Sequence, residues 1–386
     1  MTLKDFTDVK SRRQYLERKL NIKLENIKKA SIHNEEEITV ENLIGETTLP
    51  LGIAGPIRIQ NSKFKSQNYY IPLATTEGTL VASVNRGCKA INQSGGVNVF
   101  LENVGTTRGP VYETKNLKKG FWFLKWLKKN ENLIKKTAEK TSSHLKYLKF
   151  DGKIVGPYTF VRFYFDTQYA MGMNMVTFAT DEINKVIKEK TGIPCLALSG
   201  NYCVDKKPSW LNFFTGRGIS LWAESVIKKE VVEKVLKTSP QKIFDVWLAK
   251  NMVGSIVSGS LGFNAHFANI FASFFVATGQ DLAHVVEGSM GTTTIKLESN
   301  GDLYFSIYLP SVMIGVVGGG TRLAIKKEAI KITGAKTKEE LAKVLVAAVL
   351  AGELSLLASL AEGSLAKAHK KLGRMKNDNE KIQKEI

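Results

Sequence analysis

One short polar stretch decides how the rest of the chain is interpreted: Ser199-Gly200-Asn201-Tyr202-Cys203-Val204-Asp205-Lys206-Lys207-Pro208. It follows an apolar run, residues 193–198, whose composition predicts a buried strand. Two ammonium groups beside one carboxylate, just past a strand end, suit a site that holds an anion and stabilises a second negative charge formed during a reaction. An ordinary charged surface turn is the alternative, and the stretch alone does not decide between the two.

The overall composition is that of a globular protein with an unusually large positive charge. The chain has 386 residues, of which 43% are hydrophobic and 24% charged, so two or three domains with sizeable cores are expected. The formal net charge of +19 is compatible with nucleic acid, an acidic membrane surface, polyanionic small molecules or a merely solvated lysine-rich surface. No RNP, zinc-finger or helix-turn-helix signature accompanies it, which argues against a nucleic-acid partner.

Cysteine usage and hydrophobic patterning predict a cytoplasmic protein that lies outside the membrane. Cys88, Cys195 and Cys203 lack CxxC spacing and cannot all pair, so reduced thiols are expected. The first residues show no hydrophobic signal region. The longest apolar stretch, residues 344–360, is interrupted by a glutamate and a serine and has helical periodicity, which predicts a core or interface helix.

The succession of predicted elements indicates an α+β fold in which a small domain is inserted into a larger one. Because no GxGxxG motif occurs, a Rossmann fold is not indicated. The predicted parts are an N-terminal helical segment (1–46), a large and mostly helical domain (47–109 and 198–373), an inserted small α+β domain (110–197) and a flexible tail (374–386).

Periodicity and capping residues predict several individual elements. Thr75 or Thr76 is expected to cap a helix that continues to residue 91, and Thr337 with Glu340 to form a capping box. Other predicted helices are 9–20, 170–190, 220–236 and most of 245–275. Predicted strands are 49–59, 154–165 and 303–309.

Several motifs together resemble the soluble catalytic form of the 3-hydroxy-3-methylglutaryl-coenzyme A (HMG-CoA) reductase family, over about residues 40–370. These motifs are 41–45, 73–89, 170–175, 199–208, 259–269, 279–281, 310–321 and 351–356. The resemblance is to class I, the class that uses NADPH. It implies that the small domain is ferredoxin-like and binds the cofactor, and that the large domain binds coenzyme A. It also implies an active site between two subunits of a dimer or a dimer-based tetramer.

The resemblance implies two hydride transfers from NADPH that convert HMG-CoA to mevalonate and free coenzyme A. Lys206 matches the lysine that stabilises the oxyanion left when a hydride reaches a carbonyl. Glu77 matches the proton donor to the alcohol oxygen, and Asp281 matches a carboxylate that would titrate together with it. His369 matches the histidine that protonates the departing thiolate. Taken singly, Glu77 and Asp281 would more often be a helix-start acid and a turn cap.

The same resemblance assigns three sets of binding residues and no metal ligands. The set for the substrate is Arg108, Ser199, Asn201, Asp205, Lys207, Lys250, His266 and Asn269. The set for coenzyme A is Ser83, Asn85, Arg86, Lys89 and Lys237. The set for the cofactor is Ser142, Ser143, His144, Tyr169, Ala170, Met171, Gly172, Met173 and Asn174. His33 and His284 are interpreted as surface residues.

Two positions depart from the family's pattern. The family's cofactor motif begins with an aspartate that could cap the next helix, but Tyr169 stands there, with Thr167 or Gln168 as possible substitutes. The family's serine-arginine pair is replaced by Ser142-Ser143, so a preference for NADH is one alternative. A catalytically inactive, basic nucleic-acid-binding protein is another, against which the retention of all four matched catalytic residues argues.

Overall fold

Two separate hydrophobic cores organise the fold. A computed structural model describes residues 8–20, 38, 40–60 and 66–363. The larger core takes its side chains from residues 54–101 and 219–361. The smaller core takes its side chains from residues 112–195. The chain therefore leaves the larger core, builds the smaller one and returns.

The described residues form both helices and strands, in agreement with the mixed helix and sheet composition of the predicted α+β class. The strands are β1 Leu51–Ile59, β2 Gln67–Ala74, β3 Asn98–Arg108, β4 Val111–Glu113, β5 Lys146–Val155, β6 Tyr158–Asp166, β7 Cys195–Ala197, β8 Arg217–Ile227, β9 Thr292–Leu297 and β10 Leu303–Val312. The helices are α1 Val9–Leu20, α2 Leu80–Gln93, α3 Leu117–Lys129, α4 Glu131–Glu139, α5 Met173–Thr191, α6 Trp210–Thr215, α7 Lys229–Val231, α8 Pro240–Trp247, α9 Ser255–Ser258, α10 Phe267–Thr278, α11 Val285–Gly288, α12 Ala324–Thr333 and α13 Lys338–Glu362. Shorter π- and 3₁₀-helical segments are Val232–Leu236, Leu248–Gly254, Leu282–His284 and Gly319–Arg322.

One antiparallel sheet runs through both cores, and β1 and β2 form a separate hairpin. The strand order of the larger sheet is β7-β4-β6-β3-β8-β10-β9, and β5 pairs with β6 outside this order. Strand β3 joins the two halves, since residues 98–105 pair with β8 and residues 106–108 pair with β6. The C-terminal end of β3 consequently lies where the two cores meet.

Helix α2 shows why the larger core closes tightly. Leu80, Val84 and Ile91 recur at helical spacing and are buried, as the sequence predicts. Gly87 lies on the same face, and a Cβ added there would be 1.9 Å from the carbonyl oxygen of Ala351 in α13. The crossing of α2 and α13 therefore requires glycine at this position.

Helix α13 is the core helix that the sequence predicts. Among the described residues it is the one helix long and apolar enough to cross a membrane, and 78% of its apolar window is buried inside the fold. The hydroxyl of Thr337 accepts a hydrogen bond from the Glu340 amide at 3.2 Å, which confirms the cap. The Glu340 carboxylate accepts from the Lys336 amide at 2.6 Å, one residue before the cap residue.

An ion pair links the two cores at the start of α13. Lys338 is 4% exposed, and its Nζ lies 2.9 Å from Oδ1 of Asp166, at the end of β6. Burial raises the pKa of Asp166, but the hydrogen bond and charge of Lys338 outweigh it and hold that pKa below its ordinary value of 3.8. The pair therefore depends on an ionised Asp166.

Three predictions of local structure are wrong for identifiable reasons. Residues 220–227 belong to strand β8 instead of a helix. Burial alternates over residues 221–227, but the exposed positions include the apolar Trp222 and Val226, so hydrophobicity does not alternate along the sequence. The single strand predicted at 154–165 is two strands, which turn at Gly156 with φ +56°. The buried strand predicted at 193–198 is the short β7, where Leu196 is 51% exposed.

The predicted cap of α2 is also wrong. The helix begins after Thr79, whose side chain makes no capping hydrogen bond. The Thr75 hydroxyl instead accepts a hydrogen bond from the amide of Glu77 at 3.0 Å. That bond fixes the turn before the helix, on which Glu77 is exposed.

Candidate active site

The stretch from 199 to 208 leaves β7 as an irregular loop with strained backbone. Asn201, Val204 and Lys206 have φ values of 62°, 49° and 58°. A β-branched residue rarely adopts this conformation, so Val204 is held there by its surroundings. Its carbonyl accepts a hydrogen bond from the side chain of Asn212 at 3.0 Å. The loop is therefore set by the fold around it, and it presents the Lys206 side chain to solvent.

Lys206 and Asp281 form the ion pair at the centre of the site. Nζ of Lys206 lies 2.8 Å from Oδ2 of Asp281, and the two side chains are 38% and 34% exposed. Asp281 also caps its own turn by accepting from the amide of Ala283 at 3.1 Å. Burial raises the pKa of Asp281, but the hydrogen bond from Lys206 and the charges of His284 and Lys206 hold it below 3.8. The carboxylate of Asp281 is therefore ionised, and both side chains are accessible.

A buried ion network lies beneath this pair. Arg217 and Glu287 are fully buried, and their side chains form an ion pair through Nη1 and Oε1. Arg217 also donates to Asp205 Oδ1 at 3.0 Å and to Thr107 Oγ1 at 2.9 Å. Glu287 Oε1 accepts from the backbone amide of Lys206 at 3.4 Å. The network therefore ties the Lys206 backbone to the rigid end of β3.

The interpretation of His284 as a surface residue is wrong, because this histidine is fully buried within the network. Its Nδ1 lies 2.5 Å from Glu287 Oε1, and its Nε2 lies 3.6 Å from Asp281 Oδ2. Arg217 and Glu287 were likewise missed. The signal that could have found the acidic and imidazole groups is their spacing, since Asp281, His284 and Glu287 are each three residues apart and share one face of a turn.

Three of these groups are close enough to be considered as metal ligands. Donor atoms of Asp205, His284 and Glu287 all lie within 4.8 Å of one another. Arg217, however, already bonds both carboxylates of this group. The guanidinium of Arg217 therefore already supplies the positive charge that a metal ion would bring to these carboxylates.

The predicted substrate residues fall into two places. Arg108 ends β3 with its Nε buried and, within the described part of the chain, without a hydrogen-bond partner. Lys207 Nζ donates to the Asp205 carbonyl at 3.2 Å, and Ser199 Oγ lies 3.5 Å from Cys203 Sγ. Ser199, Lys207 and the exposed Asn201 share the loop of Lys206. Arg108 lies next to that loop, because the carbonyl of Gly109 accepts from the amide of Gly200 at 2.7 Å.

The second place is the start of α10 and the segment before it, which carry Lys250, His266 and Asn269. The buried carboxylate of Glu353 accepts from the amide of His266 at 3.1 Å and from the side chain of Asn251 at 3.0 Å. Across residues 8–20, 38, 40–60 and 66–363, no hydrogen bond or ion pair joins these three residues to the loop of Lys206.

Glu77 is a predicted catalytic residue without a contact to Lys206. It is exposed, and among the described residues it forms no ion pair. The predicted His369 lies outside the described residues. Within the described part of the chain, the structure therefore pairs Lys206 with Asp281 and not with Glu77.

The predicted coenzyme A residues on α2 mostly hold the fold together. Arg86 donates from Nε to Ser355 Oγ at 3.0 Å and from Nη2 to the Ser355 carbonyl at 2.6 Å. Ser83 Oγ also donates to Ser355 Oγ, and Asn85 accepts from a backbone amide of β1. Burial lowers the pKa of Arg86, against the charge of Glu362. The exposed cations of this set are Lys89 and Lys237.

The predicted cofactor segment forms the tight turn that starts α5. Gly172 is the N-cap residue with φ +88°, and a Cβ there would lie 2.3 Å from the side chain of Thr167. Thr167 donates to the carbonyl of Ala170 at 2.7 Å and so does not cap α5. No side chain caps this helix, which leaves its first amides open. Tyr169 is 50% exposed beside them.

The other predicted cofactor residues lie against the same turn. His144 Nδ1 is 3.1 Å from Oε1 of Gln168, and the amide of His144 donates to Ser142 Oγ. Segments 142–144 and 169–174 are thus brought together, although 25 residues separate them in the chain. Gln168 serves as the link between them and does not act as a helix cap.

A model of the family described as hydroxymethylglutaryl-coenzyme A reductase matches residues 8–374. The chain belongs to the HMG-CoA reductase family. Among its curated relatives, the reductase of Pyrococcus abyssi is 48% identical over 375 residues, covering 94% of this chain and 92% of that protein. The reductase of Methanothermobacter thermautotrophicus is 45% identical over 372 residues, covering 95% and 93%. The family resemblance inferred from the motifs is thereby confirmed.

Solved structures of HMG-CoA reductases share the fold. The class II enzyme of Streptococcus pneumoniae, bound to NADPH in open conformations, superposes with a TM-score of 0.68 and 17% identity. The comparison covers 92% of this chain and 97% of that one. At this identity the likeness shows the architecture of an HMG-CoA reductase, and the roles of individual residues have to be argued from the geometry above.

Proposed function

We propose that this chain reduces (S)-3-hydroxy-3-methylglutaryl-CoA to mevalonate and free coenzyme A with two hydrides from NADPH, in the mevalonate pathway of isoprenoid synthesis. The observation that carries the proposal is the Lys206–Asp281 pair, 2.8 Å apart and half-exposed. A hydride added to a thioester carbonyl leaves an oxyanion, which a fixed ammonium group stabilises in the transition state. NADPH supplies the hydride when it is bound.

The chain positions Lys206 by three constraints. Its backbone is left-handed, its amide donates to Glu287 and its ammonium group bonds Asp281. Because the pKa of Asp281 is lowered, this carboxylate stays ionised and acts as the counter-charge of Lys206. A proton for the alcohol oxygen must then come from another group, and we assign that role to Glu77.

Glu77 requires a second subunit in this proposal. Glu77 is exposed and, among the described residues, forms no ion pair with Lys206, which suits an active site completed across a dimer or a dimer-based tetramer. Protonation of the departing coenzyme A thiolate is assigned to His369, on the strength of the family resemblance alone.

Binding roles follow from charge and exposure. Around the substrate carboxylate we place Arg108, Ser199, Asn201, Asp205 and Lys207 from the loop side, and Lys250, His266 and Asn269 from the side of α10. Lys89 and Lys237 are exposed cations suited to the phosphates of coenzyme A. Arg86 is half-buried against α13 and would position that helix.

The cofactor site is proposed at the turn before α5. The uncapped helix start offers free amides to a phosphate, Tyr169 offers an exposed ring, and His144 adds a group that can carry positive charge. These features fit a dinucleotide, and we propose NADPH and class I on the strength of the family resemblance alone. We accordingly propose residues 110–197 as the ferredoxin-like cofactor domain, and its strand order β7-β4-β6-β5 supports this.

A cytoplasmic location completes the proposal. Cys88, Cys195 and Cys203 are all free thiols, as expected in a reducing compartment. The apolar helix α13 is mostly buried inside the fold.

The proposal is tested by following cofactor oxidation by absorbance, with and without HMG-CoA, and by identifying the product. We expect oxidation of NADPH that depends on HMG-CoA and yields mevalonate with two cofactors consumed per product. A parallel series with NADH at equal concentration decides the cofactor preference. Folded protein that forms no mevalonate with either cofactor would contradict the proposed reaction.

A further inference from the structure

His284 is a fully buried imidazole whose two nitrogens face different carboxylates. Nδ1 lies 2.5 Å from Glu287 Oε1, within hydrogen-bond distance. Nε2 lies 3.6 Å from Asp281 Oδ2, just beyond it, and no other hydrogen-bond partner is found for this atom among the described residues. A buried nitrogen without a partner is costly, so its position next to Asp281 calls for an explanation.

Asp281 is engaged by Lys206 in the free protein. In the proposed reaction the ammonium group of Lys206 turns towards the oxyanion that forms on the substrate, so its bond to Asp281 weakens at that moment. Asp281 would then be a partly buried carboxylate that keeps the amide of Ala283 but has lost its charged partner, which opposes the movement of Lys206.

Among the described residues, the imidazole of His284 is the one group facing Asp281 that is free to replace Lys206 as its partner. Arg217 is committed to Glu287, Asp205 and Thr107. Asp205 and Glu287 are themselves acceptors. His284 Nε2 needs to move by less than 1 Å to reach an ordinary hydrogen-bond distance from Asp281, which follows from the 3.6 Å separation.

We propose that His284 is a positioning residue that donates a hydrogen bond from Nε2 to Asp281 when Lys206 leaves Asp281 for the substrate oxyanion. The inference rests on the proposed function for its catalytic consequence. The exchange of partners itself depends only on the geometry of the cluster, and it can be tested without any turnover.

The first test compares His284→Ala with His284→Gln, and with Val286→Ala as a matched change of an exposed side chain in the same turn. With NADPH and HMG-CoA, we expect His284→Ala to lower kcat about ten-fold, with KM changed less than two-fold. This loss is smaller than that from removing a group that bonds the oxyanion directly, because His284 acts through Asp281. The glutamine amide can donate to Asp281, so His284→Gln should recover most of kcat. Equal losses in the two folded variants, or none in either, would overturn the proposal.

The second test is a double-mutant cycle in urea unfolding, which needs no activity. Lys206→Met mimics the departure of the ammonium group from Asp281. If His284 then becomes the partner of Asp281, His284→Ala should lower the unfolding midpoint more in the Lys206→Met background than in the wild type. An equal shift in both backgrounds would overturn the inference. If the wild type forms no mevalonate, the proposed function fails, while this cycle still decides the role of His284.

Discussion

Removing the carboxylate of Glu287 should destabilise the protein more than any exposed ion pair does. Glu287 is fully buried and accepts from the side chains of Arg217, His284 and Asn212 and from the backbone amide of Lys206. Glu287→Ala therefore leaves a buried guanidinium without its nearest counter-charge. Breaking one side of a buried pair costs about 3–5 kcal/mol.

The lower end of this range is expected here, because Arg217 keeps two other partners. Its bonds to Asp205 at 3.0 Å and to Thr107 at 2.9 Å survive the change. We therefore expect the free energy of unfolding to fall by about 3 kcal/mol. Urea unfolding followed by far-ultraviolet circular dichroism measures it, through the midpoint and slope of the transition that involves the larger core.

A matched control removes a carboxylate from a surface pair. Glu298 pairs with Lys296 at 3.2 Å, and the lysine side chain is 69% exposed. Glu298→Ala should cost less than about 1 kcal/mol. The double variant Arg217→Met/Glu287→Leu, which removes both charges, should regain much of the lost stability. A Glu287→Ala variant no less stable than the Glu298→Ala control would refute the account of the buried network.

Three further predictions concern the cofactor turn, the proton donor and the link between the cores. Tyr169→Asp should lower the KM for NADPH, because a carboxylate beside the uncapped start of α5 can accept from the first amides of that helix and bond the cofactor's ribose. Initial rates that give an unchanged or higher KM would contradict this. Glu77→Gln should abolish mevalonate formation while leaving the melting temperature within 2 °C, roughly the shift from a surface change, since Glu77 is exposed. The pKa of Asp166 is lowered in the folded state, so its pairing with Lys338 stabilises the protein above the unfolded pKa and is lost as pH falls through the folded value. Asp166→Asn should thus be less stable than the wild type at pH 7, and the difference in urea midpoint should shrink below about pH 4; a constant difference contradicts the assignment.

Elements whose two faces differ were predictable from the sequence. In β10 the buried Leu303, Phe305 and Ile307 alternate with partly exposed residues, and the structure places the strand where the pattern indicates. In strand β8 burial also alternates over residues 221–227, but the exposed face carries the apolar Trp222 and Val226, so hydrophobicity does not alternate along the sequence. Periodicity records a difference in polarity between two faces, and a strand whose exposed face is apolar provides little of it.

The site was predictable only in its exposed half. Lys206 and Asp281 belong to motifs long enough to be identified, and the structure pairs them with each other. The resemblance instead implies that Asp281 titrates together with Glu77. Arg217, His284 and Glu287 belong to no such motif, and their roles arise from burial and from contacts between residues about 70 positions apart. Local sequence cannot encode those contacts, although the three-residue spacing of Asp281, His284 and Glu287 was a visible hint.

The central claim is that Lys206 stabilises the oxyanion formed by hydride transfer. The most direct measurement compares kcat for mevalonate formation by Lys206→Met with that of the wild type, with Lys296→Met as the control at an exposed lysine. The account predicts a loss of about 100- to 1,000-fold for Lys206→Met, an unchanged melting temperature and an unaffected control. A folded Lys206→Met variant that turns over at nearly the wild-type rate would contradict it.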